Sequence, residues 1–444
     1  MRLVTLIALA APLTFAASKD VTFHKDVEPV LQSKCQECHR PGEAGPMSFM
    51  TYKETRPWAK AIRAAVATRK MPPWHADPAY GHFANDRRLS EKEIMTIVAW
   101  SEGGAKEGDV KDAPKPRVFN DGWQIGKPDM ILEMPVAAKI PATGEVPYSW
   151  IVVPVGLPED RWIDKIEVRP GERSVVHHVV LYSREKGSFF MKDAKPGEIF
   201  VPKGRVGTPP KSVQRENGIW EFQANARGTE IVSLYVPGGS PYVTLPGQAR
   251  FLKAGSDLVM QMHYTANGKE TMDKTKVGIV FSKEAPKTRA YNTFVANPSL
   301  IIPPGADNHE VKAIVTLAED VEIQALNPHM HVRGKAFQYS AIYPTGEREI
   351  LLKVPKYDFN WQINYILEKP KKLPKGTKIE VIAWYDNSPN NPFNPDPKKE
   401  VLWGDQTWEE MIAGFIDMSV PVDFTGSDLV RGRAPAKTAG PANE

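Results

Sequence analysis

The chain has 444 residues, enough for two to four domains at about 150 residues each. Its 41% hydrophobic and 25% charged residues are ordinary globular usage, which excludes wholesale disorder. Lys and Arg (57) outnumber Asp and Glu (53) by only 4, spread along the chain, so the basic stripe of a nucleic-acid partner is missing, and two cysteines exclude a disulfide framework.

Residues 1–18 read as a signal peptide. Arg2 is the positive start, Leu3–Phe15 the apolar run, and Ala16, Ala17 and Ser18 the small residues suited to cleavage. The run is shorter than the roughly 20 residues a bilayer span needs. The expectation is a periplasmic or secreted protein with no membrane span in its mature form.

Residues 19–108 read as a small all-α domain. Phe23, Val27, Val30 and Leu31 recur at helical spacing. Tyr52–Thr68 reads as a second helix with Pro57 tolerated only in its first turn. Ser90 with Glu93 forms a capping box before a helix to Trp100, Leu89 and Ile94 a hydrophobic staple, and Gly103-Gly104 a stop. Between these lies Cys35-Gln36-Glu37-Cys38-His39, the C-x-x-C-H pattern of covalent haem. Two thiols add to the haem vinyl groups and the adjacent imidazole becomes an iron ligand. The alternative is a lone redox dithiol. For the sixth ligand the expectation is Met71, held on a stiff loop by Pro72 and Pro73; His75 is its main rival, with Met47, Met50 and His82 behind. The stretch resembles small bacterial class I-like cytochrome c domains and implies one covalent haem c.

Residues 109–117 are charged and Pro-bearing, and read as a linker. Beyond them come short β-branched runs such as Trp150–Val155, Val175–Tyr182, Leu258–Tyr264, Val321–Leu326 and Ile379–Trp384. Such runs in series, broken by Pro and Gly, read as antiparallel β-sandwiches. About 300 residues exceed one sandwich. The expectation is therefore two all-β, jelly-roll-like sandwiches, 118–285 and 286–423, joined near Ser282–Pro298. Arg184–Thr229 is a long loop, either covering a cleft or mobile. Residues 424–444 read as a disordered tail.

Six histidines lie beyond the haem segment. His329 and His331 flank Met330, and in a strand positions two apart share a face, so both can close on one ion. His177 and His178 are adjacent, so a regular strand would separate them and a shared ion demands a bulge or twist. His263 is a third histidine on an apolar strand; His309, after a Pro-Gly turn, reads as structural. Singly, each is more often a structural histidine than a ligand. As a set, on a chain with an export signal and a haem motif, they read as metal ligands.

The order His177-His178, then Gln261-Met262-His263-Tyr264, then His329-Met330-His331, then Glu410-Met411 resembles the copper type II, ascorbate-dependent monooxygenases, the group of dopamine β-hydroxylase and peptidylglycine α-hydroxylating monooxygenase. The resemblance covers about residues 120–422. It implies two coppers, one on each sandwich, facing each other across an open, solvent-filled cleft. His177, His178 and His263 would hold the electron-transfer copper. His329, His331 and Met411 would hold the oxygen-activating copper, Met418 being a weaker rival for Met411, with Gln261 helping to couple the two. The donor sets agree with this: three imidazoles suit a copper that cycles between its two oxidation states, and a thioether favours Cu(I) over zinc. Asn327 stands where peptide-amidating members carry an Arg, which argues against a peptidylglycine substrate. The implied activity is hydroxylation of a C–H bond in a small-molecule substrate with dioxygen. Electrons would come from an external donor, an ascorbate-like reductant or a redox protein, and pass from haem to the three-His copper and then to the other. The alternative is a non-catalytic c-type electron-transfer or copper-binding protein.

Overall fold

A computed structural model describes residues 20–119, 122–202 and 229–424, with the backbone of 213–214 and 220–221 between them. The signal-peptide reading and the tail from Thr425 onward lie outside the described residues, as does much of the Arg184–Thr229 loop. The chain divides into two compact units. One comprises the N-terminal residues to Pro41, Gly45–Pro73 and Arg87–Val118, and the other Gly42–Ala44, Trp74–Asp86 and everything from Phe119.

The first unit is built of short helices. A π-turn over Phe23–Val27 runs into the helix Glu28–Lys34, with Phe23, Val27 and Leu31 buried on one side. Pro57 divides the second predicted helix into Tyr52–Thr55, a 3-10 turn Arg56–Trp58, and Ala59–Ala67, because proline supplies no N–H for the ladder. Glu91–Glu102 carries the expected capping box: Ser90 Oγ accepts from Glu93 N at 3.3 Å, and Glu93 Oε2 accepts from Ser90 N at 2.7 Å. Trp100 is fully buried in this core and donates Nε1–H to Lys106 O at 2.9 Å. The 109–117 stretch folds back on the same unit: Asp109 caps a turn over Val110–Asp112, and Arg117 pairs with Glu37 at 2.7 Å.

The second unit is β-sheet. A long sheet runs in the order Met130–Glu133, Lys276–Phe281, Arg161–Arg169, Gln248–Leu252, Thr288–Ala296, Ala413–Val420, Val321–His329 and Tyr365–Leu373. A five-stranded sheet, Ile199–Phe200, Ser149–Pro154, Asp257–Tyr264, Val176–Arg184 and Thr229–Tyr235, shares the N-terminal half's core. A sheet containing Arg348–Val354, Gly334–Ile342, Lys378–Tyr385 and His309–Thr316 shares the C-terminal half's core. Two apolar cores thus form, as alternating strands with one buried face require. They are joined by one sheet, through the parallel pairing of Gln248 with Thr288 and Ala249 with Arg289.

Two segments depart from the expected boundaries. Trp74–Asp86 belongs to the β unit: Trp74 packs on Tyr365 with ring centroids 4.9 Å apart, and Phe83 pairs across to Leu367. Phe424, expected in the tail, is fully buried against Tyr291, and its carbonyl accepts from Arg289 at 2.6 Å. Among the described residues no helix is long and apolar enough to cross a membrane.

Candidate metal centre

The adjacent histidines meet through a bulge. Asp257–Tyr264 pairs antiparallel with Val176–Arg184 so that His263 lies opposite His178, yet Tyr264 pairs with Val176, leaving His177 as the extra residue. A bulge redirects a side chain that a regular pleat would send to the far face. As a result, ligand nitrogens of His177, His178 and His263 all lie within 4.8 Å of one another. Gln261, two residues from His263 on the same strand, shares its face and is buried.

The second pair sits at a strand end. His329 is the last residue of Val321–His329, opposite Ala413, and its ring lies 5.3 Å from that of His331 at 89°. The peptide between them is clamped by Tyr357, whose hydroxyl accepts from Met330 N at 3.0 Å and donates to Met330 O at 2.8 Å. His329 Nδ1 lies 2.6 Å from Gln362 Oε1, and Gln362 Nε2 donates to Phe359 O at 3.4 Å, which sets the amide's orientation. The oxygen can only accept, so Nδ1 carries the proton and Nε2 keeps its lone pair. His331 Nδ1 likewise donates to Glu409 O at 3.2 Å. Orienting partners of this kind fix a metal-ligating tautomer.

Glu410 ties this turn together. It is fully buried; Oε2 accepts from His331 N at 2.9 Å and Met411 N at 3.2 Å, and Oε1 from Arg333 N at 2.6 Å. Burial pushes its carboxyl up to about 7, against the pull of those donors and of the Arg333 guanidinium. Met411 is half-buried in an apolar patch with Val180, Ile231, Phe294 and Phe415, and the Phe415 ring lies 5.9 Å from that of His329. Met411 thus packs on the same patch that supplies the Phe415 ring beside His329.

The two sets do not face each other across an open cleft, as the family resemblance implies. The His178 and His329 rings are 5.6 Å apart at 90°, only 0.3 Å more than the 5.3 Å between His177 and His178 or between His329 and His331. Four of the five imidazoles are buried and His177 is half-buried. Tyr148 stacks on His263 at 4.2 Å and 12°, and Phe359 on His177 at 4.8 Å and 20°, closing the cluster with aromatic rings. The reason is packing: the segment holding Glu409 and Glu410 also reaches the first set, with Thr407 Oγ1 3.3 Å from His263 Nε2 and Gln406 Oε1 accepting from Tyr148 N at 3.0 Å.

Burial keeps the cluster neutral. It lowers His177 and His329 to about 4 and His331 to about 3, and holds His178 and His263 well below the usual imidazole range, with neighbouring histidines lowering most of them further. Among the described residues, His177 Nε2, His178 Nε2, His263 Nδ1 and His331 Nε2 are buried with no hydrogen-bond partner. Each such atom costs about 1–3 kcal/mol unless something satisfies it. Neutral, converging, unpartnered imidazole nitrogens are the donor set a soft or borderline transition metal takes.

The C-x-x-C-H segment lies in the helical unit. Cys35 ends the Glu28–Lys34 helix, and Cys38 N and His39 N bond back to Cys35 O at 3.1 and 2.9 Å. Neither cysteine is in a disulfide, and both are half-buried. His39 stacks on Phe49 at 4.4 Å and donates Nδ1–H to Met47 O at 3.2 Å, which leaves Nε2 with the lone pair. Gly45 closes this turn; a Cβ there would lie 2.7 Å from both Cys38 O and His39 Nδ1. Two cysteines outside any disulfide, followed by an imidazole with a fixed tautomer, fit a covalent haem. Met71 follows the Ala59–Ala67 helix, half-buried, its N bonded to Ala65 O at 3.2 Å. Its rival His75 lies in the β unit instead.

Tyr148, Phe359, Gln362 and Thr407 were not foreseen. None sits in a motif, and their places depend on loops that meet only in the folded chain. Glu410 had a signal, since it immediately precedes Met411 in the Glu-Met pair.

No family model matches the chain and no curated protein matches it. Among solved structures it is similar to infectious bursal disease virus particles. The Gx strain is 9% identical over 67% of this chain and 73% of that one, with a TM-score of 0.18. The VP2 subviral particle is 10% identical over 68% and 74%, with a TM-score of 0.19. Neither likeness bears on function.

Proposed function

We propose that the chain is an exported haem- and copper-dependent monooxygenase: an N-terminal c-type cytochrome domain followed by two jelly-roll-like sandwiches that carry two coppers. The observation that carries this reading is the convergence of five buried or half-buried imidazoles, four with unpartnered nitrogens. Cys35, Cys38 and His39 would hold haem c, with Met71 completing the iron. His177, His178 and His263 would hold one copper, and His329, His331 and Met411 the other.

When bound, haem would supply electrons and copper would activate dioxygen, so that C–H, O2, two electrons and two protons give C–OH and water. The residues' own work is positional. Gln362 and the Glu409 carbonyl keep Nδ1 protonated on His329 and His331 and so leave each Nε2 with its lone pair for a metal. Glu410 holds the His331 and Met411 backbones in one frame. Tyr148 and Phe359 exclude bulk water, which strengthens electrostatic effects inside.

The test is the copper-to-haem ratio, by elemental analysis, of protein exported from a haem-maturing host, copper-loaded and desalted. A ratio near two, with reductant-dependent oxygen uptake, supports the proposal. A ratio near two without oxygen uptake leaves a copper-binding electron carrier. A ratio near zero removes the monooxygenase reading.

A further inference from the structure

We infer that the histidines form one dinuclear pocket, in which two copper ions sit close enough for their unpaired electrons to interact, rather than two magnetically isolated sites. The inference rests on the copper reading above and concerns the spacing that reading left open.

Three observations carry it. The closest spacing between sets is only slightly longer than the spacings within them: 5.6 Å from His178 to His329, against 4.7–5.3 Å among His177, His178 and His263 and 5.3 Å from His329 to His331. Single aromatic side chains wall both sets at once. Tyr148 lies 4.2 Å from His263, 5.5 Å from His178 and 6.0 Å from His331, and Phe359 lies 4.8 Å from His177 and 6.5 Å from His331. The two sets are also built from each other's surroundings. The loop whose Glu409 carbonyl and Glu410 carboxylate hold His331 also presents Thr407 to His263 and Gln406 to Tyr148 N. Such contacts fix the sets as neighbours on rigid strands.

The charge argument gives the pocket a preference. Two divalent ions repel with four times the energy of two monovalent ions at the same separation, and the repulsion is large where solvent is excluded. The side chains that converge here are imidazoles, which bring no negative charge to offset that repulsion. The pocket therefore favours the doubly reduced pair and binds the second Cu(II) more weakly than the first.

The experiment is a Cu(II) titration of the full-length haem-containing chain. Bound copper is counted by elemental analysis, and the electron paramagnetic resonance spectrum is integrated at each step. The first equivalent should give one isolated copper signal. The second should bring a half-field transition and broadening absent from the first. In His331→Ala the chain should keep one copper and never show the half-field signal. The wild-type titration stands alone if that variant fails to fold. Two bound coppers whose spectrum is the sum of two isolated signals would overturn the inference and leave the copper reading intact. A maximum of one copper would also overturn it. No bound copper would remove both, and the metal count alone reports that case.

Discussion

Glu410→Ala deletes a buried carboxylate that accepts three backbone N–H donors, from His331, Arg333 and Met411. Each donor left unsatisfied in the interior costs about 1–3 kcal/mol, and water entering the vacated space recovers part of it. The net loss on opening this turn should be about 3–6 kcal/mol. At roughly 1.4 kcal/mol per factor of ten, that is about a hundred- to ten-thousand-fold loss of protection. Amide hydrogen exchange resolved at His331, Arg333 and Met411 reads it directly, because local opening is reported residue by residue. Glu410→Gln keeps one carbonyl acceptor and turns an NH2 toward the remaining donors, so its effect should fall between wild type and alanine. Exchange in Glu410→Ala within about threefold of wild type at all three amides would refute the cradle, since a change that small is below 1 kcal/mol.

Acid should destabilise the metal-free chain at the histidine cluster. Buried His177 and His329 titrate near 4 and His331 near 3, against 6.5 for an ordinary imidazole, so the unfolded chain binds more protons between these values. Their contribution is complete above about pH 6.5 and is lost as pH falls toward 4, at up to about 1.4 kcal/mol per pH unit for each group; a urea midpoint flat from pH 7 to 4.5 would contradict this. Gln362→Leu removes the acceptor of His329 Nδ1–H and should weaken binding of one copper by about 10–100-fold in a chelator competition, a loss typical of orienting partners; unchanged affinity would show that Gln362 does not orient the ligand. Arg250 is 1% exposed, donates to Ile231 O at 2.8 Å and reaches Asp417 at 3.3 Å. Arg250→Ala should cost about 3–5 kcal/mol in urea denaturation by stranding a buried carboxylate, and a loss below 1 kcal/mol would mean Asp417 finds other partners.

Much of the fold could be read along the chain because its causes are local. Alternating and β-branched runs became strands, as in Leu258–Tyr264, now within Asp257–Tyr264. The Ser90–Glu93 box started its helix where capping chemistry places it, and Pro57 broke the helix it interrupts. The ligand types were legible too, because His-His, His-x-His and C-x-x-C-H are patterns of neighbours in sequence. What lay beyond reach depends on contacts between distant residues. The bulge that places His177 beside His178 is a register decision between two strands some 80 residues apart, expressed only when Tyr264 pairs with Val176. Nothing near Trp74 in sequence marks its departure from the helical unit, because what draws it away is Tyr365, almost 300 positions on. The closeness of the two histidine sets was decided in the same way. Each motif sets which atoms can bind a metal, but the 5.6 Å from His178 to His329 comes from Thr407 and Gln406 reaching across to His263 and Tyr148. Residue type and local spacing determine the available donors, and only long-range packing decides whether they make two sites or one.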